Sequence, residues 1–165
     1  ASAVFMGQYG LSQQQFSYAF ALNAGGIMLM SSLNKHLNTR MDIFPRLRLG
    51  GTIQCFGALI VVSAGLMNHA PLWLLMSGLF LVVSGIGLTG PNAMALAMSK
   101  QGARAGTASA IMGSMQFACG LLGGVILNFL IWKASLNMGL MMLMFTSAGL
   151  FAIFKVGKQQ DSIFS

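Results

Sequence analysis

Five predominantly apolar stretches run along the chain, at about 13–34, 49–68, 71–98, 105–131 and 136–154, each closed by a short polar or charged break. A helix needs about 20 such residues to cross a bilayer core of about 30 Å, so each stretch predicts one transmembrane helix. Runs such as Leu72–Leu81 and Met138–Phe145 are apolar on every face. That excludes barrel strands, which alternate over segments of about ten residues. The third stretch is too long for a perpendicular crossing and contains Gly90-Pro91. Proline removes a backbone donor and crowds the preceding turn, which predicts a kink or tilt there, with Asn92–Ser99 continuing towards water. Pro71 follows Asn68-His69-Ala70 and suits a first helical turn. The expected fold class is an all-α membrane protein of five transmembrane helices.

Composition strengthens this reading. Of the 165 residues, 56% are hydrophobic and 7% charged, whereas a soluble domain carries about a quarter charged. The partner implied is a lipid bilayer. A net charge of +7 would point to nucleic acid only if it formed a basic face, and here the basic residues are scattered between apolar runs, so no nucleic-acid partner is expected. Alternating the breaks across the membrane puts Lys35, Arg40, Arg46, Arg48, Lys100, Arg104, Lys155 and Lys158 on one side and Lys133 alone on the other. By the positive-inside rule the first side, with the C-terminus, is cytoplasmic, and the N-terminus, His69 and the Trp132–Asn137 turn face outward. The expected location is the inner (plasma) membrane. Tyr9, Tyr18, Trp73 and Trp132 fall at the outer ends, where amphipathic rings anchor helices at headgroup level. Ala1–Gly7 has no basic region before it and is not read as a signal peptide; the start reads as a point inside a longer protein.

Helices in lipid associate through close packing and polar contacts, so small and polar residues mark contact faces. In the fourth stretch Gly106, Ser109, Gly113, Gln116, Gly120 and Gly123 recur at spacings of three and four, and Gly120–Gly124 forms a GxxxG. Gly106, Gly113, Gly120 and Gly124 are therefore the expected helix-packing residues. Gln116 lies about 18 Å from the start of its helix at 1.5 Å per residue, near mid-membrane, where a side-chain amide needs a partner. Asn23 has a comparable depth in the first helix, with Phe16 and Phe20 on its side, and Ser77 and Ser84 form an i, i+7 pair in the third. These groups either bond neighbouring helices or line a shared, partly wet cavity. A ligand site combines an apolar lining with a few orienting polar groups, which makes Phe20, Asn23, Ser84, Gln116 and Phe117 the candidate substrate path.

Several chemistries are missing. Asp42 and Asp161 are the only acids and lie outside the five stretches, so no intramembrane carboxylate is available for proton relay or cation binding. His36 and His69 fall at helix ends. Cys55 and Cys119 have neither disulfide nor zinc spacing and read as packing residues. No nucleophile triad, metal motif or phosphate loop exists, so an enzyme, a metal and a cofactor are not expected. The fourteen methionines suit either an adaptable contact surface or ordinary packing.

The run Gly90-Pro-Asn-Ala-Met-Ala-Leu-Ala-Met, followed by Gly102-Ala-Arg-Ala-Gly-Thr-Ala-Ser-Ala and Met112-Gly-Ser-Met-Gln-Phe117, resembles the helix 10–11 region of the bicyclomycin-resistance (Bcr/CflA) drug transporters of the major facilitator superfamily. Tyr9-Gly-Leu-Ser-Gln-Gln-Gln-Phe16 and Phe20-Ala-Leu-Asn23 resemble that family's outer loop after helix 7 and the start of its helix 8. The resemblance implies that the five helices correspond to helices 8–12 of a twelve-helix protein, with the N-terminal half and most of helix 7 absent from this chain. It implies proton-driven antiport of small amphipathic drugs by alternating access, with the proton-coupling carboxylate in the N-terminal half and Arg104 in a cytoplasmic loop. The partners implied are that half, the drug and protons, and the fragment alone would be inactive. The alternative is a non-transporting multi-span membrane protein that packs or assembles with a partner.

Overall fold

A computed structural model describes residues 9–67, 69–99, 101–129 and 134–161. Five long helices account for nearly all of them: α1 Gln13–Leu37, α2 Ile43–Leu66, α3 Leu72–Met98, α4 Ala105–Phe129 and α5 Ala134–Asp161. Each contains a window long and apolar enough to cross a membrane, and no strand occurs among the described residues. The chain is an all-α, multi-span membrane protein.

Local chemistry sets the ends. The Ser12 hydroxyl accepts from the Gln15 N–H at 3.2 Å, and the Gln15 side chain accepts from the Ser12 N–H at 3.0 Å, a reciprocal cap that satisfies two of the donors a helix start leaves open. α2 begins at Ile43, six residues before the apolar stretch at 49, so Pro45, Arg46 and Arg48 lie on the helix rather than in a loop. Pro45 costs little there, because a first-turn N–H has no intrahelical partner to lose. α3 runs through Pro91 as one helix to Met98. On either side of the proline, side chains add bonds to the backbone: Thr89 Oγ1 to Gly85 O at 3.2 Å and Asn92 Nδ2 to Leu88 O at 2.7 Å. Gly102–Arg104 forms a single 3-10 turn between α3 and α4, opened by Gly102 at φ 46°, a left-handed conformation that glycine adopts without steric cost.

α2 is the centre of the bundle, with α3 on one side and α5 on the other; α1 packs on α3, and α4 touches α3 and α5 only sparsely. Gly50 meets Leu88 and Thr89 while Gly57 meets Gly78 and Val82, so α2 and α3 are antiparallel. Gly26 meets Ser84 and Gly87 meets Ile27, so α1 and α3 run parallel. Gly65 against Leu136 and Gly51 against Leu150 set α5 antiparallel to α2. Lys35, Arg40, Arg46, Arg48, Arg104, Lys155 and Lys158 consequently gather at one end, termed the basic end below.

Backbones approach closely at these crossings. A Cβ on Gly57 would stand 2.7 Å from Gly78 O and 2.8 Å from Val82 N, and one on Gly65 would stand 2.6 Å from Leu136 Cα. Without a hydrophobic drive between helices in lipid, such close packing is what holds them together. Val61, Ala64, Leu75, Leu79 and Met138 fill the space where α2, α3 and α5 converge.

Candidate functional site

A cavity of about 310 Å³ lies between α1 and α3, with Met142 of α5 at its edge. Phe16, Phe20, Asn23 and Ile27 reach it from α1, because spacings of three and four place them on one helix face. Leu79 and Val83 supply the α3 wall. Asn23 is the polar group in this apolar lining. Its Nδ2 donates to Ala19 O at 3.1 Å, while Oδ1 is buried without a hydrogen-bond partner. A buried acceptor left unpaired costs free energy, and a ligand N–H or O–H entering the cavity would satisfy it. The wall beside it is incomplete, since Phe20 is 70% exposed.

Of the candidate substrate-path residues, the fold brings Phe20 and Asn23 together and leaves the others apart. Ser84 is 1% exposed and sits in the α1–α3 contact against Gly26, not on the cavity wall. A Cβ on Gly26 would collide with the Ser84 hydroxyl, so that pair is a packing contact. Gln116 and Phe117 are exposed on α4, Phe117 at 83%, and do not line the cavity. Gly106, Gly113, Gly120 and Gly124 meet nothing within 4 Å of a Cβ position, and within the α4 stripe Gly123 alone among the glycines comes near a described helix, at Phe145 and Met141 of α5. Arg104 closes the 3-10 turn at the basic end and borders a hollow with Ala97, Thr107 and Ile111.

Two features were not anticipated. The first is a buried polar cluster at the basic end, where Asn34 Oδ1 accepts from Asn92 Nδ2 at 2.8 Å and from Arg46 Nη1 at 3.2 Å. Arg46 Nε also donates to Asp42 O at 3.3 Å. The cluster ties α1, α2 and α3 together with a guanidinium whose partners are an amide and a carbonyl. The second is a larger hollow of about 580 Å³ between α2, α3 and α5, lined mostly by apolar groups such as Phe44, Leu47, Leu96 and Ile153, with Gln54 and Thr89 as polar members. Asn34 in the last turn of a membrane-length helix and Asn92 directly after Gly-Pro were the available signals for the first; hydropathy carries none for the second.

Multiple membrane-length helices, two of them flanking an apolar cavity with an unpaired amide acceptor, define a polytopic membrane protein. Sequence comparison then supplies two relatives. The chain is 30% identical over 123 residues to a bicyclomycin resistance protein homolog of Haemophilus influenzae, covering 74% of this chain and 31% of that protein. It is 32% identical over 123 residues to the uncharacterized MFS-type transporter YdgK of Bacillus subtilis, covering 74% of this chain and 30% of that protein. The resemblance read from the sequence therefore holds in that the chain is similar to a bicyclomycin resistance protein homolog and to an MFS-type transporter. It spans about a third of the length of these curated relatives. No family model matches the chain, and no solved structure matches it.

Proposed function

We propose that the chain forms helices 8–12 of a multidrug exporter that moves amphipathic drugs outward by alternating access, in which the two halves of a transporter rock about a site near mid-membrane. The observation carrying this reading is the cavity at Asn23: mostly apolar, with one unpaired amide acceptor, and open along Phe20 where a further wall would stand. The exposed apolar residues of α4, among them Ile111, Met115 and Phe117, support the same idea, since a six-helix N-terminal half would cover them. The basic end is assigned to the cytoplasm of the inner membrane on the positive-inside rule. Proton coupling is assigned to the other half, because this sequence places neither of its acids within an apolar stretch.

The test is a resistance assay in drug-sensitive cells. Expressed alone, the chain confers no resistance to a panel of amphipathic drugs. Co-expression with a matching six-helix N-terminal half restores it. Proton-coupled efflux by the 165-residue chain on its own would refute the assignment, since no membrane-embedded acid would be present to carry the proton.

A further inference from the structure

Arg48 has no part in the cavity or in the Asn34 cluster. Its guanidinium carbon stands 5.0 Å from the centroid of the Phe154 ring on α5, within cation–π range. One turn further along α5, a Cβ on Gly157 would lie 2.6 Å from Arg48 Nη2, so the helix leaves a gap that the guanidinium fills. Arg48 Nε is buried and has no hydrogen-bond partner. The cation is thus seated on α5, held in orientation by a ring, and left short of an acceptor.

A cation taken partly out of water needs an anion or several acceptors to offset its desolvation. The planar fork of arginine matches a phosphate in two-point contact. Lys155 and Lys158 are exposed on the same stretch of α5, which adds positive charge around the seat. The level is that of lipid headgroups, because Arg48 is in the second turn of a membrane-length helix. Farther into the membrane, Leu59 on the Arg48 face of α2 and Phe151 on the Phe154 face of α5 are both exposed, an apolar track for acyl chains. Basic pockets between transmembrane helices on the cytoplasmic side are suited to anionic headgroups.

We propose that Arg48, seated on Phe154 and Gly157 and assisted by Lys155 and Lys158, binds the phosphate of an anionic phospholipid at the seam between α2 and α5. The lipid supplies the acceptors that the guanidinium lacks and covers the seam from outside. This site is separate from the cavity at Asn23 and stands whether or not the chain transports drugs.

The experiment equilibrates the full chain with mixed vesicles of phosphatidylglycerol and phosphatidylcholine in equal amounts, then extracts it in mild detergent and counts retained lipids by native mass spectrometry. The chain should retain phosphatidylglycerol in preference to phosphatidylcholine. Arg48→Gln should lower that retention about fivefold, the factor expected for one basic residue near a charged surface, while Arg40→Gln in the exposed α1–α2 connection leaves it unchanged. The double variant Lys155→Gln/Lys158→Gln alters only exposed side chains and so keeps the fold; it should lower retention by a measurable factor even if Arg48→Gln fails to fold. Addition of inorganic phosphate should not displace the lipid. Equal retention of the two lipids, an equal loss in Arg40→Gln, no effect of the double lysine variant, or displacement by phosphate would each overturn the proposal.

Discussion

Replacing Asn34 by leucine is the sharpest test of how the basic end is held. The two side chains branch alike at Cγ with the same number of heavy atoms, so the change removes the amide while keeping the shape of the side chain, at the cost of the extra bulk of two methyl groups. That acceptor takes a bond from Asn92 Nδ2 at 2.8 Å and one from Arg46 Nη1 at 3.2 Å. Asn92 Nδ2 keeps Leu88 O, whereas Arg46 Nη1 loses its partner and only Nε of that guanidinium keeps Asp42 O. In soluble proteins a neutral bond contributes about 0.5–1.5 kcal/mol and one to a charged group about 1.5–3 kcal/mol. Interhelical bonds in membranes average about 0.6 kcal/mol and reach about 1.7 kcal/mol. Weighted towards the membrane values, two lost bonds give about 1–3 kcal/mol. At tenfold per 1.4 kcal/mol, the unfolded fraction should rise about 5- to 150-fold. Unfolding in mixed micelles of rising SDS content, followed by circular dichroism, reads this directly. Asn34→Asp keeps the acceptor and gives Arg46 a counter-charge, so its midpoint should be no lower than that of the parent chain. An unchanged midpoint for Asn34→Leu, or an equal fall in both variants, would show that the cluster does not hold the three helices together.

Gly57→Ala should destabilise by about 1–3 kcal/mol, the usual cost of overpacking, because its new methyl would meet Gly78 O at 2.7 Å; Gly120→Ala, with nothing within 4 Å, should stay within about 1 kcal/mol in the same unfolding assay. Burial raises the Tyr9 phenol above its ordinary pKa, so the neutral form stabilises the fold fully below about pH 10, the unfolded value, and that contribution is lost as pH climbs through the raised folded value. Tyr9→Phe should abolish this alkaline loss without lowering stability at pH 7, since the hydroxyl is buried without a partner, and thermal melting at both pH values checks it. In a cysteine-free background, a cysteine at Asn38 should be shielded from an impermeant thiol reagent added outside cells and one at His69 should react; the reverse would overturn the orientation. In a complete transporter, Asn23→Leu should change the ranking of resistance among unrelated drugs at constant protein level, and a uniform fall tracking abundance would remove Asn23 from the substrate path.

The helices were legible because lipid imposes one simple rule, about 20 apolar residues per crossing, and Leu72–Leu81 or Met138–Phe145 meet it on every face. The start of α2 was not. Hydropathy assigns Arg46 and Arg48 to water, whereas Arg46 is buried by donating to Asn34 and Asp42, and hydropathy cannot register a partner elsewhere in the chain. The same distinction separates the site residues. Phe20 and Asn23 share a cavity because they are neighbours on one helix face, a relation that spacing encodes. Whether Gln116 meets Asn23 depends on how α4 lies against α1, which spacing within either helix leaves open. The close crossings also had a readable signal: Gly50, Gly57 and Ala64, and beside them Gly51, Ala58 and Gly65, repeat every seven residues. That period is sparser than the stripe on α4, and small-residue density alone does not distinguish a filled crossing from an unfilled one.

The two adjacent small-residue rows of α2 have a consequence for assembly. One row receives α3, the next helix to be synthesised, while the other receives α5, which arrives only after α4 has been made. Until then that row is an unfilled slot in the bilayer. Because α4 touches its neighbours only sparsely, it does little to steer α5 to the α2 of its own chain. The slot therefore closes last, when α5 of the same chain packs against Gly51 and Gly65.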